Sequence, residues 1–144
     1  LRVNPPLRLK SDRKALQVAL QNGTLDSVIS DHRPENIETH DVEFILSPNG
    51  ISGIEFVFAA VNTACNNLDL SRLIDSISNA TRRVYNIPEV HIEINAPAKI
   101  TWFDPVKEFN FQNISGGANN PWPNRKLSGT VYGCLNGTKI HIND

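Results

Sequence analysis

An aspartate and a histidine stand side by side at Asp31-His32, near the end of the run Leu25 to Pro34, L-D-S-V-I-S-D-H-R-P. Val28 and Ile29 are β-branched and follow Asn22-Gly23, a pattern that predicts a short buried strand over Leu25 to Ser30. A carboxylate and an imidazole at the carboxyl end of such a strand sit where parallel α/β architectures gather their chemistry, because the loops there converge on one crevice. Metal ligation and proton transfer are the reactions this pair could serve. The competing reading is that Asp31 caps the next turn and His32 packs beneath it.

The other candidate groups are dispersed. The four histidines, His32, His40, His91 and His141, show no dense ligand spacing, and a metal site needs three or four ligands. His91 and Glu93 share one face of a presumed strand, which reads as an exposed alternating face before it reads as a metal pair. There is no G-x-S-x-G, glycine-rich phosphate loop, H-E-x-x-H or paired-cysteine zinc motif. If Asp31 binds a metal, most co-ligands lie outside these 144 residues.

The elements that must position Asp31 follow from periodicity. Pro5 and Pro6 fix φ and remove two donors, so Leu1 to Leu7 is a loop. Ser11 offers an N-cap oxygen and Asp12 a first-turn charge, and Leu16, Ala19 and Leu20 recur at helical spacing, predicting a helix from about Asp12 to Gln21. A helix followed directly by a strand belongs to a parallel sheet. The polar stretch Arg33 to Asp41 is a loop that would cover the site, and Gly50 and Gly53 permit backbone conformations or close approaches that a β-carbon forbids. From Ile54, the residues Ile54, Val57, Phe58, Val61 and Cys65 predict a core-facing helical stripe. Leu70, Leu73, Ile74 and Ile77 predict a second helix capped by Asp69, and Ala80 to Tyr85 a short third one ending at Asn86.

Beyond Pro88 the pattern turns to strands. Ile92 and Ile94 alternate with polar neighbours, as do Ile100 and Trp102 before a turn at Asp104-Pro105. A polar linker runs from about Asn110 to Asn124, and a hairpin from Gly129 to Ile142 turns at Asn136-Gly137. The expected organisation is therefore an α/β portion over residues 1–88 and a β-rich segment over 89–144.

Composition narrows the class. Apolar residues make up 40% of 144, enough for a core, and the net charge of −1 without a basic block argues against a nucleic-acid or anionic-membrane surface. No apolar run approaches a membrane span, and the amino terminus has no signal-peptide pattern. The chain starts at Leu1 and contains no methionine, so it is expected to be a processed or truncated piece of something longer. Cys65 and Cys134 make no disulfide framework, so a reduced, cytoplasmic protein is expected. The four N-x-S/T sequons at Asn22, Asn79, Asn113 and Asn136 are read as chance in an asparagine-rich chain.

Over nearly its whole length the chain resembles the carboxyl-terminal part of dihydroorotases, members of the amidohydrolase superfamily. Asn4-Pro5-Pro6-Leu7-Arg8 reads as that family's N-P-P-L-R after the seventh barrel strand, and Asp31-His32-Arg33-Pro34 as its D-H-x-P at the end of the eighth. Gly50-Ile51-Ser52-Gly53-Ile54-Glu55 is similar to G-I-x-G-L-E, Phe103-Asp104-Pro105 to F-D-P, and Asn119-Asn120-Pro121-Trp122 to N-T-P-F. Hydantoinases and allantoinases carry similar P-P-L-R loops, but the asparagine before the prolines favours dihydroorotase.

The resemblance implies the last portion of a (β/α)8 metal-dependent hydrolase barrel followed by a small β segment. It implies a binuclear Zn2+ site with Asp31 as ligand and catalytic proton acceptor, Asn4 and Gly50 as substrate-binding residues, and most zinc ligands outside this chain. The implied reaction is the reversible hydrolysis of dihydroorotate to N-carbamoyl-aspartate in pyrimidine biosynthesis, with the isolated segment inactive. The implied partners are a small-molecule substrate, the rest of the barrel, and a second copy or aspartate transcarbamoylase.

Three positions depart from the family pattern. Glu35 stands where a second histidine helps hold the substrate carboxylate, His40 where a lysine is common, and Ala80 where an N-P-A segment has its proline. A glutamate there repels an anionic substrate, which supports the alternative of a non-catalytic dihydroorotase-like scaffold docking on aspartate transcarbamoylase. Intact Asp31 and Asn4 support the enzyme.

Overall fold

The computed structural model describes residues 2–122 and 124–143; Leu1 of the expected first loop, Pro123 of the expected linker and Asp144 lie outside them. Among the described residues five helices precede three strands: α1 Lys10–Gln21, α2 Ile37–His40, α3 Val57–Ala64, α4 Leu70–Ile77 and α5 Asn79–Val84, then β1 Lys99–Asn110, β2 Lys126–Asn136 and β3 Lys139–Ile142. The strands form one antiparallel sheet in the order β1-β2-β3.

The helix starting signals differ in how they are used. α1 begins two residues before the expected Asp12, with Leu9 rather than Ser11 at the N-cap. Asp12, at the third helical position, accepts a hydrogen bond from the Leu9 N–H at 3.1 Å and so satisfies an otherwise orphaned donor. Asp69 caps α4 as expected, its carboxylate accepting from the N–H groups of Ser71 at 2.8 Å and Arg72 at 3.3 Å. The Ser71 hydroxyl is its first cause of a lowered pKa, followed by those two amides. α2 forms where an irregular loop was expected, because the Asn36 side chain accepts from the Thr39 N–H at 2.8 Å and caps a single turn.

The core lies between α3 and the sheet. Phe56, Ala59, Phe111 and Leu127 form its buried cluster, with Ile51, Ala60, Phe109 and Trp122 packed around it. Phe56 meets Phe111 edge-on at 5.5 Å and Trp122 at 5.9 Å, an arrangement that suits the ring quadrupoles. The expected stripe through Ile54 is corrected here: Ile54 precedes the helix and is 59% exposed, while Phe56 and Ala59 point inward. Polar side chains fix that rotation. Asn62 donates to the carbonyls of Pro105 at 2.8 Å and Ser128 at 3.0 Å, and the Thr63 hydroxyl accepts from the Ser128 N–H at 2.9 Å.

Beyond Pro88, two strand expectations fail and one shifts. Ile92 and Ile94 are 83% and 94% exposed and lie in no strand, because alternation specifies a strand only when one face is covered. Asp104-Pro105 is not a terminal turn, since β1 continues to Asn110 through a register irregularity between Asp104 and Glu108. The Asp104 carboxylate bridges it by accepting from Val106 and Lys107 N–H groups at 2.8 and 3.0 Å, bonds that also lower its pKa. Pro105, which cannot donate to a ladder, is tolerated where the ladder is interrupted. In the hairpin Asn136 pairs with Lys139, so the turn is Gly137-Thr138, one residue later than expected, with Gly137 at φ 61°.

The Leu25 to Ser30 segment forms no ladder. A parallel strand needs neighbours at its edges, and among the described residues the only parallel pairing nearby is the isolated bridge His32–Ile51. The segment is held instead from α4: the Val28 N–H donates to the Ser76 carbonyl at 3.0 Å. Arg72 donates to the carbonyls of Leu20, Leu25 and Asp26. Val28 is half-buried and Ile29 is 64% exposed, so the segment is not the buried strand expected.

Candidate functional site

At the end of that segment Asp31 takes a left-handed backbone, φ 40°, uncommon for a residue other than glycine. Its half-exposed carboxylate accepts a hydrogen bond from Arg33 Nε at 3.1 Å through Oδ1. His32 turns the other way. Its Nδ1 accepts from the N–H groups of Gly53 at 3.1 Å and Ile54 at 3.3 Å, which places the proton of the neutral ring on Nε2. The two chemical residues of the motif are thereby divided: Asp31 faces a cleft and His32 fastens the neighbouring loop.

That cleft, about 160 Å³, is lined by Asn4, Asp31, Arg33, Asn49, Gly50 and Ile51 among others. Asn4, Asp31 and Gly50, the three residues singled out from the sequence, thus share one cavity although the first and last lie 46 positions apart. A larger recess of about 610 Å³, walled by Arg2, Asn4, Leu7, Phe44 and Asn49, adjoins it through the residues the two have in common.

The walls are set by close backbone approaches. At Gly50, φ 143°, an added β-carbon would lie 2.7 Å from the Arg33 Cβ, and at Gly53 it would lie 2.9 Å from the Ser30 carbonyl oxygen. Gly50 is further tied to the first segment, its N–H donating to the Arg2 carbonyl at 2.9 Å. The Arg2 guanidinium in turn donates to the carbonyls of Ile45 and Ser47 at 2.9 and 3.0 Å.

One residue that sequence reasoning missed holds both walls. Asn119 is 1% exposed, and its amide donates to the carbonyls of Arg33 at 2.8 Å and Gly50 at 3.1 Å while its Oδ1 accepts from the Glu35 N–H at 3.0 Å. Its own carbonyl accepts from Ser52 N–H at 3.2 Å. The signal for it is the Asn119-Asn120-Pro121-Trp122 segment, whose resemblance to N-T-P-F implies no role for the residue. Glu35 is not among the residues lining the cleft; the contacts that fix it run through its backbone, to Asn119 and to Ala118.

A carboxylate that lines a cleft, with Oδ1 engaged and Oδ2 unpaired among the described residues, fits one ligand position of an oxygen- and nitrogen-rich metal site. The described residues contain no group of three or more histidines, cysteines or acids that could hold a metal by themselves. Cys65 and Cys134 are free, and burial pushes the Cys65 thiol pKa up against the lowering effect of its bond with Gln17. No described helix is long and apolar enough to cross a membrane.

Comparison with known proteins agrees with the resemblance. No protein-family profile matches the chain. A dihydroorotase of Clostridioides difficile is 34% identical over 145 residues, covering 97% of this chain and 34% of the relative. One of Syntrophus aciditrophicus is 35% identical over 137 residues, covering 90% of this chain and 32% of the relative. Among solved structures, a D-hydantoinase (dihydropyrimidinase) from Thermus sp. superposes on 99% of the chain with a TM-score of 0.84 and 25% identity. A dihydropyrimidinase from Brevibacillus agri does so with a TM-score of 0.85 and 25% identity. The chain spans about a third of the length of each of these proteins, consistent with a partial amidohydrolase barrel.

Proposed function

We propose that this chain, which resembles dihydroorotases over nearly all of its length, is the carboxyl-terminal portion of a metal-dependent cyclic amidohydrolase that interconverts dihydroorotate and N-carbamoyl-aspartate. The observation that carries the reading is the convergence of Asn4, Asp31 and Gly50 on one cleft. The scaffold alternative rested on Glu35, and Glu35 does not line that cleft.

Asp31 would contribute one zinc ligand, and the remaining ligands would come from the other two-thirds of the protein. Bound zinc supplies Lewis acidity and lowers the pKa of water toward neutrality. Asp31 accepts the proton of the attacking water and passes it to the ring nitrogen as the C–N bond breaks, a transfer suited to a carboxylate with one unpaired oxygen at the cleft. Asn4 offers an amide donor and acceptor to the ring, and the Gly50 loop brings backbone close to it. The Asn119 clamp keeps the two loops in register during the reaction.

The test is Asp31→Asn in the full-length protein, which keeps shape and removes the charge. Turnover of dihydroorotate is expected to fall at least roughly a hundredfold, with reduced zinc content by elemental analysis and an unchanged circular dichroism spectrum. Undiminished turnover eliminates the role of Asp31.

A further inference from the structure

We infer that Arg33 is the specificity-determining cation of the cleft, binding the carboxylate of an anionic cyclic amide through the outer edge of its guanidinium. This deepens the reading above and rests on it. Four observations lead here. Arg33 lines the cleft shared by Asn4, Asp31 and Gly50. Its backbone is fixed on both sides, the N–H donating to the Ile51 carbonyl at 2.9 Å and the carbonyl accepting from Asn119 at 2.8 Å.

Its stem is seated against Gly50, where a β-carbon would come within 2.7 Å of the Arg33 Cβ, so the glycine makes the space that the stem occupies. Finally, Asp31 takes only the Nε of Arg33, at 3.1 Å, and Nη1 and Nη2 have no partner among the described residues. An Asp31–Arg33 pair with side chains 54% and 57% exposed contributes little to stability. What it does is orient a planar fork.

The two remaining nitrogens present parallel donors along one edge, the geometry that a carboxylate accepts bidentately. Charge follows the same logic. Where Glu35 replaces the residue expected to assist a substrate carboxylate, Arg33, two positions away, carries a permanent positive charge and lines the cleft that Glu35 does not. A neutral ring would gain nothing from this group.

Binding of orotate and of uracil to the full-length protein separates the possibilities, because the two rings differ only in the carboxylate. The wild type is expected to prefer orotate, and Arg33→Gln to weaken orotate by roughly tenfold to a hundredfold while leaving uracil affinity within about twofold. Arg33→Lys, which keeps the charge and loses the fork, should fall between them; it decides the matter if the glutamine variant does not fold. Equal weakening of both ligands, or orotate affinity unchanged in either variant, overturns the inference. If the wild type binds neither ring, the functional reading fails and this inference with it. If it binds both equally, only the inference fails.

Discussion

The cleft and the sheet are held together by different means. Around α3 and β2, four buried apolar residues and three edge-to-face aromatic contacts exclude water. Around the cleft the loops meet through backbone hydrogen bonds that converge on Asn119, and large apolar side chains nearby stand in solvent: Leu7 is 88% exposed, Phe44 68% and Ile45 74%. Apolar packing is non-directional and tolerates small shifts, whereas a hydrogen-bonded clamp fixes particular atoms at particular distances. The sheet region supplies stability, and the clamp supplies geometry.

The largest effect should come from the sheet side. Phe56→Ala in the full-length protein removes a side chain that is 4% exposed and is expected to cost about 3 to 5 kcal/mol in denaturant unfolding. A cost below about 1 kcal/mol would mean that the aromatic cluster is not the main support of this half.

Asn119→Ala probes the other side. It leaves the Glu35 N–H and the Arg33 and Gly50 carbonyls without their partner, with an expected cost of about 2 to 3 kcal/mol. Hydrogen exchange sharpens the contrast: amides of residues 31–35 and 49–53 should exchange faster while those of β1 and β2 do not. A uniform acceleration would show that cleft and sheet form one unit after all.

The smallest effect is electrostatic and lies at α4, which holds the segment leading to Asp31. Hydrogen bonds lower the Asp69 pKa in the folded protein, so its ionised cap stabilises above the ordinary value of 3.8 and loses that contribution as pH falls through the lowered one. Asp69→Asn keeps a capping oxygen without the charge. The difference in melting temperature between wild type and variant should shrink as pH is lowered below 3.8, and a difference independent of pH would remove the charge from the account.

What the sequence discloses tracks the range of the interactions involved. α4 was legible because its cap and apolar stripe are local, and Gly50 and Gly53 announced close approaches that the structure contains. The rotation of α3 was not, because it is decided by Asn62 and Thr63 reaching residues 43 to 66 positions away. Asn119 was hidden for the same reason, with side-chain partners 69 to 86 positions off. Leu25 to Ser30 carries strand-forming residues but meets no ladder partner among the described ones, and propensity cannot stand in for a missing neighbour.

The left-handed backbone of Asp31 restricts how this position can drift over generations. At φ 40° most side chains are strained, and glycine, asparagine and aspartate are the ones that tolerate it. A lineage no longer needing the carboxylate would therefore exchange it first for asparagine or glycine, leaving the loop's shape in place as a trace of the abandoned chemistry. Exchange for asparagine, one nucleotide change away, would thus erase the charge and leave the backbone undisturbed.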